Sequence, residues 1–318
     1  MAIHKPGKKD IDNTGLNSRA TTKYARFINK DGSPNVVWRG SGILDRYSIY
    51  HYLINIPNWK FILLIFGYYM LINLLFAGIY YVGCQNHLLG LIKGTPFETF
   101  EEVYFFSSQT LTTVGYGRIS PEGLLTNTIA STEALIGILT LAIITGLLYG
   151  RFVKPKAYIR YSDNAVIAPF RDSKGLMFRL LPIKNARLSE VVVTLTASMM
   201  IEENGKTINK YYSLPMQFNT INSLYLSWTI VHPINEDSPI WGMSMQELEE
   251  ADFEFMVYLK AYDEDFSNTV ISRTSYTFDE ILNGTKFTPM YYDSEEGEGT
   301  IIDASKLNDY TKTPESRI

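Results

Sequence analysis

The sequence predicts an α-helical membrane module with two spans and a short re-entrant helix between them, followed by an all-β sandwich. Three observations carry this reading. Phe61–Cys84 contains no charged residue and Gly123–Gly150 contains one, Glu133, and each stretch is long enough to cross a bilayer. Between them lies Thr112-Thr113-Val114-Gly115-Tyr116-Gly117. After Pro155 the pattern changes to short alternating runs broken by turn residues.

Composition sets the outer bounds. The chain has 318 residues, 46% of them hydrophobic, and a net charge of −4, which gives no global basic field for nucleic acid. Mean hydropathy is −0.05, an average over an apolar N-terminal half and a polar C-terminal half. A lone cysteine, Cys84, excludes an intrachain disulfide and a Cys-rich metal site. Four unclustered histidines give no metal site, no G-x-G-x-x-G follows a strand, and no Ser/His/Asp, Cys/His or paired-carboxylate set stands out. Neither an enzyme nor a cofactor is expected. Met1–Arg39 has no apolar h-region, so no signal peptide is expected.

Residues 1–42 are polar and should be irregular. Lys5, Lys8, Lys9, Arg19, Lys23, Arg26, Lys30, Arg39 and Arg46 precede the first span, which sets that side as cytoplasmic. Ile43, Leu44, Tyr47, Tyr50, Leu53 and Ile54 recur at helical spacing until Pro57, so 43–56 reads as an interfacial helix. The membrane module covers 57–154. Its outer helix is 58–84, with Trp59 and Tyr80–Tyr81 as interface anchors, and Phe61–Cys84 reaches roughly 36 Å. A short helix follows at 97–110, with Glu98, Glu101 and Glu102 in its first turns where the helix dipole favours acids. The inner helix is 121–151, and the basic residues Arg151, Lys154 and Lys156 place both termini in the cytoplasm of a cell whose inner membrane the protein crosses.

Residues 112–117 match the T-V-G-Y-G loop whose carbonyl oxygens replace the hydration shell of a potassium ion. A bare ion in a low dielectric costs tens of kcal/mol, and rows of carbonyl dipoles offset this while still releasing the ion. Aiming successive carbonyls one way needs backbone that Gly115 and Gly117 can adopt without a Cβ. Val114 and Tyr116 would point outward, and the Thr113 hydroxyl adds one more oxygen ring. The short helix aims its negative end into the loop, which favours a cation there. Such a loop is allowed at membrane depth only under cover, which a tetramer around a central axis supplies.

In the second half, Ala165–Phe170, Leu176–Ile183, Val191–Met200, Leu224–Ile234, Phe253–Ala261 and Thr269–Phe278 read as strands, with turns at Asp172–Gly175 and Glu203–Gly205. Ser244 and Glu247 form a capping-box pattern for a helix to Ala251. Strands of this number and spacing make 155–292 a β-sandwich domain. Residues 293–318 are polar and read as a loosely packed tail.

Two further strings carry a resemblance. Thr229–Pro239 contains His232-Pro233-Ile234-Asn235 with Ser238-Pro239, similar to an H-x-I-(D/N)-x-x-S-P stretch. Arg273, Ser275, Tyr276 and Glu280 fit R-x-S-Y-x-x-x-E. With the 112–117 loop these resemble the inward-rectifier potassium channels, in their bacterial branch, over roughly residues 40–290. The resemblance implies a homotetramer. It also implies an immunoglobulin-like cytoplasmic domain that extends the pore and couples ligand or lipid signals to a gate. Phosphoinositide contacts would map to Arg151, Lys154 and Lys156, and Mg2+, Ba2+ and polyamines are the family's blockers. Eukaryotic members carry paired extracellular cysteines, absent here. The aligned site for an acidic rectification residue is Leu141, and Phe218–Asn222 has amides in place of vestibule acids, so weak rectification is expected.

The remaining candidates divide by face. Leu141, Thr145 and Tyr149 are four apart and share one helix face, read as pore-lining with Tyr149 at the gate; the alternative is packing on the first span. Gly137 is a hinge or a close-packing point, and Gly146 and Gly150 form a G-x-x-x-G packing pair. Glu133 should have a partner and support the filter from behind, near Arg118 or a hydroxyl of the short helix. Arg151, Lys154 and Lys156 suit anionic lipid head groups. His232 reads as a satisfied structural histidine. Two other readings compete: a different two-span ligand-gated potassium channel, which the sandwich pattern opposes, and a non-conducting membrane receptor, which leaves the loop unexplained.

Overall fold

The computed structural model describes residues 26–37, 48–154, 156–203, 206–293 and 299–313, with Gly15, Arg39, Gly40 and Gly42 besides. Of the interfacial helix, Ile43–Tyr47 lie outside the described residues, as do Lys5 to Lys23 and Arg46 among the N-terminal cations. The chain forms two compact units, Arg39–Lys154 and Met1–Trp38 with Pro155–Ile318.

The helical unit begins with α1 (Ile49–Asn55), where the Ser48 side chain accepts from the His51 amide at 3.3 Å. Pro57 separates it from α2 (Asn58–Gly83). The short helix α3 (Pro96–Leu111) starts with a capping box: Glu98 accepts from the Thr95 amide at 2.7 Å, and Thr95 Oγ1 accepts from the Glu98 amide at 3.4 Å. Pro96 fits the first turn, where no backbone donor is needed. The inner helix α4 (Leu124–Phe152) starts later than the sequence suggests. Leu88–Leu89 (β1) pairs with Ser120–Pro121 (β2), the Glu122 amide donates to His87 O at 2.8 Å, and Gly123 at φ +80° turns the chain into the helix. Helices α2 and α4 are long and apolar enough to cross a membrane. Phe76, Ala77, Tyr80, Val103 and Phe106 form the core that fixes α3 against α2. Tyr80 is fully buried, its ring 5.1 Å from Phe106, so it is a core residue and not an interface anchor.

The β unit is a two-sheet sandwich. One sheet runs β11 (Asn268–Thr277), β10 (Glu254–Asp263), β6 (Leu188–Glu203), β7 (Lys206–Ser213), with β8 (Thr220–Leu224) also on β6. The other runs β12 (Ile281–Asn283), β4 (Ala165–Phe170), β5 (Ser173–Pro182), β3 (Ile159–Tyr161), with β9 (Trp228–Ile234) also on β5. Alternation explains the core: Val193, Leu195 and Ala197 of β6 and Phe255, Val257 and Leu259 of β10 bury against Leu176, Phe178 and Leu180 of β5. Arg171 at φ +51° makes the β4–β5 turn, so Ser173 already belongs to β5. The helix after Ser244, α5 (Met245–Glu250), carries the capping box that its sequence suggests. Asn204 and Gly205 lie outside the described residues.

Residues 299–313 correct the expectation of a loose tail. Strand β16 (Tyr310–Lys312) pairs with β13 (Thr285–Phe287), and β15 (Thr300–Ile302) pairs with β14 (Tyr291–Asp293). Leu307 is buried with Leu181 and Met290. Arg179, itself buried, donates to Lys306 O at 3.4 Å as well as to Thr288 O at 2.5 Å, which ties this return segment to β5.

Candidate functional site

The 112–117 loop continues directly from the C-terminal end of α3. The amides of Val114 and Gly115 both donate to Gln109 O, at 2.9 and 3.3 Å, and Thr112 Oγ1 donates to Ser108 O at 2.7 Å. Thr113, Gly115 and Gly117 have φ of +61°, +53° and +80°, while Val114 and Tyr116 do not have positive φ. Alternating left-handed residues turn successive carbonyls to one side, where an ordinary strand would alternate them. Sequence reasoning found the two glycines but not Thr113, whose strained conformation no residue preference signals. Val114 and Tyr116 are 52% and 79% exposed, so none of the described residues covers these two side chains.

Behind the loop lies a buried polar cluster. Glu133 of α4 is fully buried and accepts from Ser107 Oγ of α3 at 2.5 Å and from the Tyr80 hydroxyl of α2 at 2.7 Å. Ser107 also lies 3.3 Å from Asn73 Oδ1, and Asn73 donates to Tyr69 O at 2.8 Å. One carboxylate thus joins all three helices. The expectation of a hydroxyl partner holds, and that of Arg118 does not: Arg118 pairs with Glu102 of α3. Tyr80, Asn73 and Ser107 were missed, since an apolar helix gives no sign of which hydroxyl meets a carboxylate two elements away.

Gly137 packs closely. A Cβ there would meet Leu111 O at 1.9 Å, so the residue is where α4 crosses the end of α3. At Gly150 a Cβ would meet Ile54 and Tyr50 of α1 at 3.3 Å, whereas Gly146 has open space around it. Leu141, Thr145 and Tyr149 are all exposed, and Thr145 Oγ1 donates to Leu141 O at 2.8 Å. None of the three is buried against α2, and Leu141 borders a groove of about 510 Å³ that Ile62, Phe66 and Tyr69 also line.

Arg151 donates to Leu53 O at 2.5 Å, Ile56 O at 2.7 Å and Asn58 Oδ1 at 2.6 Å, and stacks on Phe61. Its guanidinium satisfies the carbonyls at the end of α1. Lys154 donates to Asn55 Oδ1, and Lys156 is exposed.

In the β unit the two motif strings acquire contacts. His232 sits between Pro215 O at 2.5 Å and Ser238 Oγ at 2.8 Å, and burial pushes its imidazole down to about 4, so it is neutral at pH 7. Ser275 Oγ donates to Ile28 O at 2.6 Å, and Glu280 pairs with Arg26 at 2.5 Å and Lys30 at 3.1 Å. Burial works to raise the Glu280 carboxyl, but the two cations outweigh it and hold it below the usual range.

Residues 159–318 match the inward rectifier potassium channel C-terminal domain, and residues 62–154 match the ion channel family. The inward rectifier potassium channel Kirbac3.1 of Paramagnetospirillum magnetotacticum is 33% identical over 288 residues, covering 89% of this chain and 95% of that protein. The G protein-activated inward rectifier potassium channel 2 of Pongo abelii is 30% identical over 325 residues, covering 91% and 74%. The chain belongs to the inward-rectifier potassium channel family. As an inward rectifier it is an ion channel subunit and not an enzyme, its two apolar helices place it in a membrane, and its family is tetrameric. The inward-rectifier frame also gives the two strings in the β unit their setting, within the matched C-terminal domain.

Proposed function

We propose that four copies surround one axis and that residues 112–117 form the potassium-selective filter of a passively conducting pore. The observation that carries this is the loop's alternating left-handed backbone, hung from the end of α3 by two bonds to Gln109 O. Thr113 to Gly117 supply the oxygens, and K+ is the cargo and the only metal required. Glu133, through Ser107 and Tyr80, and Arg118, through Glu102, hold the loop's scaffold. The exposed face of Leu141, Thr145 and Tyr149 lines the inner pore, with Tyr149 as the apolar constriction that gates by closing or dewetting. An apolar Leu141 offers internal Mg2+ or polyamine no carboxylate, so rectification is weak. Both termini and the β domain face the cytoplasm of the cell, and anionic lipid, phosphoinositide included, biases the gate. Lys154 and Lys156 are the lipid contacts. Arg151 acts instead as the link between α1 and α4, since three of its five N–H donors already serve Leu53 O, Ile56 O and Asn58 Oδ1.

The test is cation uptake into proteoliposomes holding the purified protein, comparing rubidium with sodium, with and without barium. Barium-sensitive uptake that favours rubidium supports the filter assignment; equal sodium and rubidium uptake sinks it.

A further inference from the structure

One face of α4 runs through positions 127, 131, 134, 138, 141 and 145, spaced four and three apart. Its inner end carries the pore-lining residues proposed above. Its outer end carries Asn127 and Ser131, both exposed, although they sit on a membrane-spanning helix. The face that meets this chain's own helices is a different one, made by Thr126, Ala130, Glu133 and Gly137. Thr128 and Thr132 satisfy their hydroxyls on Leu124 O and Thr128 O, both at 2.8 Å, and so tolerate lipid. Ser131 Oγ has no partner among the described residues, and Asn127 uses only its amide, on Gly123 O at 2.8 Å. Polar groups of this kind do not face hydrocarbon without cost, and they associate spanning helices where they meet a partner.

The filter shows the matching want. Tyr116 is 79% exposed, and its hydroxyl has no partner among the described residues. A Cβ on Gly137 would meet Leu111 O, so α4 passes the inner end of the loop at that residue, and Ser131 lies six residues, about 9 Å, nearer the start of the helix, the end to which residues 118–123 lead from the loop. We propose that Ser131 and Asn127 of one copy brace the Tyr116 hydroxyl of the neighbouring copy, so that each filter is completed from the next subunit's inner helix. This rests on the tetrameric pore proposed above and adds which surface closes it. The occupant of the face is a second copy because the seam is continuous with the pore-lining face proposed above, and because the uncovered hydroxyls of Ser131 and Tyr116 belong to the same compact unit.

The experiment places p-benzoylphenylalanine at Ser131 in the full chain and irradiates tetramers assembled from isotopically heavy and light copies. Cross-links from a light copy to residues 105–117 of a heavy copy are expected. Cross-links confined to lipid, detergent or the copy's own chain, from an intact tetramer, overturn the proposal and leave the filter reading standing. No tetramer in the unmodified protein overturns both. Alongside, Ser131→Val should lower the rubidium-to-sodium uptake ratio about fivefold, as loss of a buried hydrogen bond in each copy would, and Ser131→Thr should restore it. A Ser131→Val ratio equal to that of the unmodified protein also overturns the proposal.

Discussion

Removing one hydroxyl tests the Glu133 cluster. In Tyr80→Phe the ring stays in its packing against Phe106 and Phe76, so no cavity opens and only the donor at 2.7 Å from Glu133 is lost. Glu133 is fully buried, and among the described residues Ser107 would remain as its one donor. Leaving a buried acceptor without one of its donors costs about 1–3 kcal/mol. At about 1.4 kcal/mol per tenfold, this shifts the balance between formed and collapsed filters by roughly fivefold to a hundredfold in each copy. The readouts are the temperature at which tetramers dissociate in potassium, and the rubidium-to-sodium uptake ratio. Both should fall. Glu133→Gln should fall as well, because an amide cannot accept at both of its terminal atoms. The double variant Tyr80→Phe/Glu133→Gln should cost less than the sum, since the two residues share one bond. Single variants within about 0.5 kcal/mol of the unmodified protein, or strictly additive losses, would show that the cluster does not hold the filter.

Four other outcomes follow from separate parts of the structure. Gly115→Ala should abolish potassium flux and leave assembly largely intact: φ is +53° there, a conformation that costs a residue with a Cβ about 1–2 kcal/mol in every copy. Gly137→Ala should lower tetramer stability more than Gly146→Ala, because its Cβ meets Leu111 O at 1.9 Å while Gly146 has open space, and thermal dissociation ranks the two. Leu141→Asp should strengthen block by internal magnesium or polyamine in patch recordings, and unchanged block would mean that position 141 does not face the pore. For His232 the unfolded chain takes up a proton near pH 6.5 and the folded chain only near 4, so stability rises with pH across that window. Acidification from pH 6.5 to 4 should cost the β domain roughly 3 kcal/mol from this residue, seen as a falling melting temperature that His232→Gln flattens.

The features legible in the sequence were those that repeat or are forbidden elsewhere. Nearly charge-free runs gave the two spans, strict alternation gave β10 nearly to the residue, and β4 fell between its turn residues as a short apolar run. Strands β7, β8 and β12 to β16 escaped because they are short, polar or exposed, and are held by their partners instead of by their own pattern. The return segment was misjudged for a related reason: a single buried residue, Leu307, anchors a stretch that otherwise reads as solvated. At the site, the loop was visible as a string because its chemistry demands those residue types. Its supports were not visible. Tyr80 looked like an interface aromatic, and only the crossing of α2, α3 and α4 brings it to Glu133.

The R-x-S-Y-x-x-x-E string shows the same limit from the other side. Its residue types were plain, and nothing local explains them, since a strand edge needs neither a serine nor a distant acid. Their partners lie 247 positions away for Ser275 and near the other end of the chain for Glu280. Ser275 takes Ile28 O, Glu280 gathers Arg26 and Lys30, and the Lys30 ammonium lies 3.7 Å above the Tyr276 ring. Gly32 passes so close to Arg273 O that a Cβ would sit 2.6 Å from it. Each position of the string therefore touches the N-terminal segment, which lays its backbone along β11. Composition alone marked that segment as irregular, and so it is by its own propensity. It is ordered by the strand that receives it, and the spacing of the string is the footprint of that contact.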